Sequence, residues 1–578
     1  MVTKISGGWH KGRSFYNPAA NRLEAGTARM LASAKWQRPE WRAQLCETIA
    51  DNWLEGRSLP RAICTSVREA ISEIVRLETQ AIELPQLASH SPTDVLIYCG
   101  RLNALAEFAN RADQSFAIFA ASLGKIFTRI AEAIPETIAR DTSPFTVPLI
   151  DLVEDPAQLV AGLASDLLRL HPQNPATIIP GAVLAAQTKN ALLKFNKTTE
   201  EAARKNPFKI ISPQASGLTG TALVKAFLPE PFATLLAMPV PFVIPLKKWA
   251  SHGVAFGPSN HGKSQLLSTV AKMFLDQPDP PGFIFIDPHG DVFKKLLRLD
   301  VFHPQHGRLK DRLVIFDAAD EVNGPPKMNF LDTSNSSAIG AKSAFKFLMA
   351  SLSAEWSPKQ EAVAGYIFKL LQRIDGASID TLRQLLDDKA RSATASAFAA
   401  AIQALPEFDR DFFANQFFDA RMAETKTAMG WKIYAALDNE TFRAMFSATH
   451  NSFNAYSIMQ DKKICLVNGS EKTLGTDGMA VFLQFIVAQC YAASFRRGDL
   501  NEEDRHLSLM LVDEAAYVYT APIIGNVLRE CRKFGLGFFA ATQLIESIPS
   551  EVKAAIFGAT AIRFAGPVQD GEAAALSR

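Results

Sequence analysis

The sequence predicts an α/β fold: a central, mostly parallel sheet, an all-α domain inserted into it, and a helical N-terminal domain. Three observations carry this expectation. A short apolar run at 253–256 leads into Gly257-Pro258-Ser259-Asn260-His261-Gly262-Lys263-Ser264, which fits G-x-x-x-x-G-K-[ST], and residues 265–274 then show helical spacing. A second apolar run, 507–512, ends in the adjacent acids Asp513 and Glu514. Further β-favouring runs at 283–286, 313–316, 463–467 and 537–541 recur along the second half of the chain. Continuous apolar runs of this length suit strands buried on both faces of a parallel sheet.

Size and composition set the frame. A chain of 578 residues is too long for one ordinary domain. Hydrophobic residues make up 48% and charged residues 21%, which is ordinary for a water-soluble globular protein. A formal net charge of +2 leaves room for local basic patches without demanding them. The six cysteines, at 46, 64, 99, 465, 490 and 531, form no C-x-x-C pair, which argues against a disulfide framework or zinc site. Residues 1–17 lack the continuous apolar core of a signal peptide. Two stretches are apolar enough to test as membrane spans. Residues 226–246 carry Glu230 and five prolines, and 479–495 contain Gln484 and Gln489 and are short for a span. No intrinsic membrane span is therefore expected.

In chain order, residues 1 to about 90 mix aromatic and basic side chains (Trp9, His10, Lys11, Arg13, Trp36, Trp41, Arg42) with a helical stretch at 66–83. Their simplest role is packing. Residues 94–139 have the apolar spacing of two core helices, and 151–170 of a third. Residues 1–215 thus read as a helical accessory domain. The proline-punctuated run 228–246 is expected to be short strands or an extended lead-in to the Gly257–Ser264 loop. Residues 216–333 and 460–578 read as one α/β domain. Helical patterns at 344–352, 359–374, 379–386, 395–405 and 425–438 mark 334–459 as an all-α insertion between its halves.

The chemistry lies at the predicted strand ends. Glycines let a loop backbone wrap phosphates with its N–H groups pointing inward, at a helix N-terminus where anions are favoured. Gly257, Asn260, His261, Gly262, Lys263, Ser264 and Gln265 are the predicted nucleotide-binding residues. Lys263 reaches the β- and γ-phosphates and the Ser264 hydroxyl joins a Mg²⁺ shell, so ATP and Mg²⁺ are the expected cofactors. Asp287, with His289 and Asp291, follows a strand and is a candidate for the nucleotide's surroundings. Two acids are needed after the 507–512 strand: Asp513 holds the metal through its water, while Glu514 stays free to deprotonate the attacking water. Gln543 brings an amide to the end of another strand, suited to sensing a γ-phosphate. Arg529, Arg532 and Lys533 close a helix before Gly535, as dipole-complementing cations and a C-cap. Lys432, Arg443, Arg496 and Arg497 read as solvated surface rather than as contacts to a nucleic acid.

The order of these motifs resembles the HerA–FtsK class of ring-shaped motor ATPases, most of all the conjugative and type IV secretion coupling proteins of the TraG/TraD type. The carrying residues are the Gly257–Ser264 loop, Asp287-Pro288-His289-Gly290-Asp291, Met328-Asn329-Phe330-Leu331-Asp332, Lys463-Ile464-Cys465-Leu466-Val467-Asn468, Asp513-Glu514, Arg532-Lys533 and Thr542-Gln543. The resemblance covers about 225–578. It implies a RecA-like P-loop NTPase domain, a homo-hexamer and a DNA-dependent ATPase. Further partners it implies are a relaxase or secretion-channel components. It implies a cytoplasmic location, peripheral to the inner membrane. By motif it makes Lys263 and Ser264 nucleotide and Mg²⁺ ligands, Asp513 and Glu514 the acid pair, Gln543 a sensor, and Arg532 an arginine finger completing the neighbouring subunit's site. Such coupling proteins begin with a transmembrane anchor, which residues 1–215 do not resemble. Two other functions compete: a DNA translocase of the same class serving DNA processing, packaging or phage defence, and an assembly scaffold that nucleotide merely stabilises.

Overall fold

A computed structural model describes residues 18–54, 59–89, 91–135, 143–172, 177–332, 342, 345, 349, 357–519, 523–543 and 548–566. The expected helix at 572–577 lies outside these residues, as does most of that at 344–352. The chain divides into two compact units, Met1–Val243 and Ile244–Arg578.

The first unit is helical, as its periodicity predicts. It contains α1 (Pro18–Ala32), α2 (Pro39–Leu54), α3 (Arg61–Gln80), α4 (Pro92–Asn110), α5 (Ala112–Ala133), α6 (Pro156–Leu168), α7 (Ala182–Phe195), α8 (Glu200–Lys205), α9 (Gly220–Phe227) and α10 (Glu230–Ala237). A small antiparallel pair, β1 (Thr146–Pro148) and β2 (Pro239–Pro241), accompanies them. α5 buries Phe116, Phe119, Leu123, Phe127 and Ile130 along one stripe. Trp36 and Trp41 pack edge-on against Phe108 and Phe116, and Phe127 stacks on Phe232, so these aromatics form the core.

The first part of the run 228–246 differs from its expectation. Pro229 and Pro231 stand at the start of α10, where a missing N–H is harmless and a fixed φ favours the first turn. α9 and α10 bury Leu223, Val224, Phe227, Phe232, Leu235 and Leu236 in the first unit's core. Residues 216–243 therefore belong with the N-terminal helices, and the division falls at 243/244 rather than at 215/216.

The second unit is built on a seven-stranded sheet. Its strands are β3 (Gly253–Phe256), β4 (Gly282–Asp287), β5 (Leu313–Asp317), β6 (Ile464–Asn468), β7 (Ser508–Val512), β8 (Leu536–Thr542) and β9 (Ile562–Ala565). The spatial order is β5-β6-β4-β7-β8-β3-β9, and every pairing is parallel. β4, β7 and β8 are buried along their whole length, which is why they read as unbroken apolar runs. β8 separates the strand that opens the phosphate loop from the strand that ends in the acids. This is the RecA-like P-loop NTPase arrangement.

Around the sheet lie α11 (Leu246–Trp249), α12 (Lys263–Leu275) and α13 (Asp291–Leu297). The insertion between β5 and β6 supplies α14 (Pro358–Leu371), α15 (Ile379–Asp387), α16 (Ala399–Gln403), α17 (Glu407–Phe412), α18 (Ala423–Ala436), α19 (Glu440–Phe446) and α20 (Ala455–Gln460). After β6 come α21 (Glu471–Arg496), α22 (Ala516–Tyr519), α23 (Ile523–Glu530) and α24 (Ser550–Ala559). Asn329 ties the two ends of the insertion together. Its side chain donates to the Ala377 and Thr449 carbonyls, and its own N–H and C=O pair with the Asn451 amide.

α21 is longer than the expected 479–495 helix. Extended to Glu471–Asp499, it is long and apolar enough to cross a membrane by length and composition, but 83% of its apolar window is buried inside the protein. Its apolar length is accounted for by the core it fills. Arg497, just beyond it, also departs from expectation. It is fully buried, with Nε donating to Gln460 and a terminal nitrogen to the His506 carbonyl, and burial pulls its pKa down to about 10. Arg496 lies over the Tyr456 ring, Lys432 donates to Gln360, and Arg443 pairs with Glu440.

One buried carboxylate organises the first unit. α7 starts at Gly181, which has no side chain to cap it and a left-handed φ of 101°. Glu78 of α3, 2% exposed, supplies the cap from outside: it accepts the N–H groups of Gly181, Val183 and Leu184 at 2.9, 3.3 and 2.9 Å. Burial raises its pKa against the pull of these three bonds. Glu78→Gln puts an NH₂ against backbone donors. It is expected to lower stability by about 1–3 kcal/mol, read as an earlier urea midpoint, with Glu78→Asp falling between the two.

Candidate active site

In a parallel sheet every strand ends at the same edge, and the predicted chemistry gathers there. β3 runs into the loop 257–262, and α12 begins at Lys263. The loop turns back on itself through two left-handed residues, Asn260 (φ 64°) and Gly262 (φ 80°). Gly262 leads directly into α12, so the first-turn N–H groups open onto the loop. Lys263 Nζ donates to the carbonyls of Gly257 and Pro258, at 2.8 and 2.9 Å. The His261 ring closes on the Ser259 carbonyl at 2.8 Å. Gln265 lies exposed on the first turn of α12.

Strand register brings the other groups to this loop. β8 pairs with β3 so that Thr542 lies level with Phe256, and the Gly257 N–H donates to the Thr542 carbonyl at 3.3 Å. Gln543 is thereby set beside the start of the loop. On its other side β8 pairs with β7, and the Ala515 N–H donates to the Ala541 carbonyl at 2.7 Å. Two side-chain hydrogen bonds follow. Ser259 Oγ donates to Gln543 Oε1 at 2.7 Å, and Gln543 Nε2 donates to Glu514 Oε2 at 2.7 Å.

The two acids differ in environment. Asp513 is 9% exposed, and burial raises its pKa, opposed by a hydrogen bond from the Ser264 side chain and aided by the charges of Asp287 and Glu514. Glu514 is half-buried and sits at a φ of 54°, which turns it out of the strand ladder. Asp287 ends β4 beside the two acids. Its carboxylate accepts the N–H groups of His289, Val292 and Phe293, capping α13, and it meets the site as a charge near Asp513.

A hydroxyl held by a buried acid, with two more carboxylates close enough to raise that acid's pKa, fits a hard cation. Mg²⁺ is held by one or two protein oxygens plus phosphate oxygens and water rather than by a complete protein cage. Among the described residues no group of three or more His, Cys, Asp or Glu forms a cage alone. Ser264 and Asp513 are the residues that would hold the ion.

Arg532 is absent from this edge. It lies in the turn Cys531–Phe534 that precedes β8, and the run from Leu536 to Gln543 crosses the sheet. At about 3.3 Å per residue, that places it roughly 20 Å from its own chain's Gln543. Its side chain is exposed and has no hydrogen bond or ion pair among the described residues. Its backbone is firmly held: Cys531 and Phe534 are buried, and Arg505 donates to the Lys533 carbonyl at 2.9 Å.

Ser259 and His252 were not singled out from the sequence. Ser259 occupies a free position of the loop motif, and only its spacing from Gln543 in space reveals it. His252, fully buried before β3, accepts the Phe538 N–H on Nδ1 at 3.0 Å.

The fold and the edge geometry define a domain of RecA-like P-loop NTPase topology carrying a helical insertion. Three solved structures are similar to part of the chain. The plasmid coupling protein TrwB in complex with ADP and Mg²⁺ is 15% identical, with a TM-score of 0.38 over 56% of this chain and 71% of that one. TrwB with a non-hydrolysable GTP analogue is 16% identical, with a TM-score of 0.37 over 55% and 71%. VirB4 of Thermoanaerobacter pseudethanolicus is 11% identical, with a TM-score of 0.38 over 59% and 84%. No family model matches the chain, and no curated protein matches its sequence.

Burial, with the nearby Arg532 charge, pulls the His252 pKa down from 6.5 to about 4. The unfolded chain therefore binds the extra proton first, so stability is lost as pH falls from about 6.5 towards 4, by up to about 3 kcal/mol. His252→Asn keeps an acceptor for Phe538 and tolerates the left-handed backbone at this position (φ 59°). Unfolding midpoints measured between pH 4 and 7 should show a shallower acid slope in this variant.

Proposed function

We propose that the chain is an ATP-hydrolysing DNA translocase, a motor of the coupling-protein kind for conjugative or type IV transfer of DNA, working as a homo-hexamer. The observation that carries this reading is the separation of Arg532 from the rest of the site. The loop, the acid pair and Gln543 share one edge of the sheet, while an unpaired arginine on a rigid turn stands at the other. A cation so placed cannot serve its own chain's phosphates, but it suits the nucleotide of a neighbour in a ring. The similarity to a plasmid coupling protein agrees with a role in DNA transfer, and a relaxase or secretion-channel component is the matching partner class.

The chemistry follows from the residues. Lys263 and the N–H groups at the start of α12 bind and orient the β- and γ-phosphates. Mg²⁺, when bound with ATP, supplies positive charge that neutralises the phosphate oxygens. Asp513 and Ser264 would hold it. Glu514, half-exposed beside the loop, accepts a proton from the attacking water at a carboxylate oxygen, and Gln543 orients that carboxylate. A neighbour's Arg532 stabilises charge on the transferring group, so hydrolysis requires an assembled ring.

ATP turnover should rise on adding single- or double-stranded DNA, and equal rates with and without DNA remove the motor reading. Lys263→Ala should lose nucleotide binding. Glu514→Gln should bind nucleotide but turn over about 10²–10⁴-fold more slowly. Arg532→Ala should keep nucleotide affinity and lose about 10³-fold or more in turnover. Mixing the Glu514→Gln and Arg532→Ala chains should restore part of it, because some interfaces regain both groups. Wild-type turnover in Arg532→Ala alone excludes the trans assignment.

A further inference from the structure

The two hydrogen bonds joining Ser259, Gln543 and Glu514 have a fixed direction. A carboxylate only accepts, so the Gln543 NH₂ must face Glu514. That leaves Gln543 Oε1 facing Ser259, which must donate to it. Reversing the amide would put its oxygen against the carboxylate and its NH₂ against the serine, losing the bond to Glu514. Ser259 is itself placed by the loop. Its carbonyl is held by the His261 ring, and the next residue, Asn260, is left-handed.

We propose that Ser259 is a positioning residue for hydrolysis: its hydroxyl anchors Gln543 Oε1, so the amide, whose orientation the carboxylate fixes, reaches Glu514 from a place set by the phosphate loop. The inference rests on reading Glu514 as the base, and it gives a role to a position the loop motif leaves open. A loop drawn around a triphosphate carries Ser259 with it, and the amide and the carboxylate follow. Seated phosphates and an aligned base are thereby the same event.

The test compares Ser259→Ala, Gln543→Ala, the double variant and Ser259→Thr in the full chain, using steady-state ATP hydrolysis with saturating DNA. Ser259 and Gln543 are both exposed, so the variants should fold. Ser259→Ala should lower kcat about tenfold, the scale of one oriented hydrogen bond in the transition state, and leave KM within about twofold. The double variant should be no slower than Gln543→Ala, since both residues act through one carboxylate. Ser259→Thr, which keeps the hydroxyl, should recover most of the rate. Additive losses, a change in KM with kcat unaffected or a threonine variant as slow as alanine would each overturn the relay while leaving the ATPase reading intact. A wild-type chain that binds ATP yet hydrolyses none under any DNA condition overturns the functional reading, and the relay with it.

Discussion

The site depends on one constraint: β8 lies between β3 and β7, in parallel register with both. Pairing Phe256 with Thr542 sets the end of β8 level with the first residue of the phosphate loop. Pairing Val512 with Ala540 sets the two acids beside the same strand end. Side chains on a parallel sheet repeat every two residues, so a slip of one position would turn Gln543 away from both neighbours. The slip is blocked by packing. At Gly537, near the start of β8, an added Cβ would lie 2.3 Å from the Trp249 carbonyl, and Trp249 packs against Phe539 of the same strand. The glycine is needed for that close approach, not for a turn.

β8 also explains why Arg532 and Gln543 belong to different environments although eleven positions apart in sequence. One precedes the strand and the other follows it, so a buried rod separates them. At the Arg532 end, the Arg505 guanidinium donates to the carbonyls of Arg497, Gly498, Leu500 and Lys533 and lies over Phe534. These bonds fix the turn that carries Arg532 and leave its guanidinium unpaired. The depressed pKa of His252 reflects the same geometry, because it is buried at this end with the Arg532 charge nearby.

Much of this was legible in the sequence, and what was not has physical reasons. Strands buried on both faces read as unbroken apolar runs, so β3, β4, β6, β7 and β8 were located within a residue or two. The loop and the acid pair were legible because phosphate chemistry restricts residue type and spacing at once. In the run 228–246 the short strand at 239–241 was legible but the helix at 230–237 was not, because prolines can begin a helix as well as break one, and only the burial of Phe232 and Leu236 decides between the two. Arg497 reads as surface because charge argues for exposure, whereas the His506 carbonyl and Gln460 hold it in the core. Asp287 was legible as the acid that ends a strand, but its bonds to the first turn of α13 were not. Ser259 was invisible because its partner lies 284 positions away, a pairing set by strand register alone.

The two neighbouring acids meet different surroundings. Asp513 still belongs to the ladder, its N–H donating to the Ile286 carbonyl at 2.9 Å, so its side chain stays buried against Ser264. One peptide later, Glu514 adopts a left-handed backbone that leaves the ladder. A left-handed residue with a Cβ is unfavourable by about 1 kcal/mol or more, and such strain persists only where the surroundings over-determine it. Here the hydrogen bond to Gln543 and the Ala515–Ala541 bond on the far side of the turn hold it in place. Had the strand continued straight, the two acids would point to opposite faces of the sheet and could not serve one phosphate. The kink brings both to the same edge, the buried acid against Ser264 and the half-exposed acid against Gln543. In the proposed mechanism, that one dihedral angle makes an ion ligand and a base of two adjacent carboxylates.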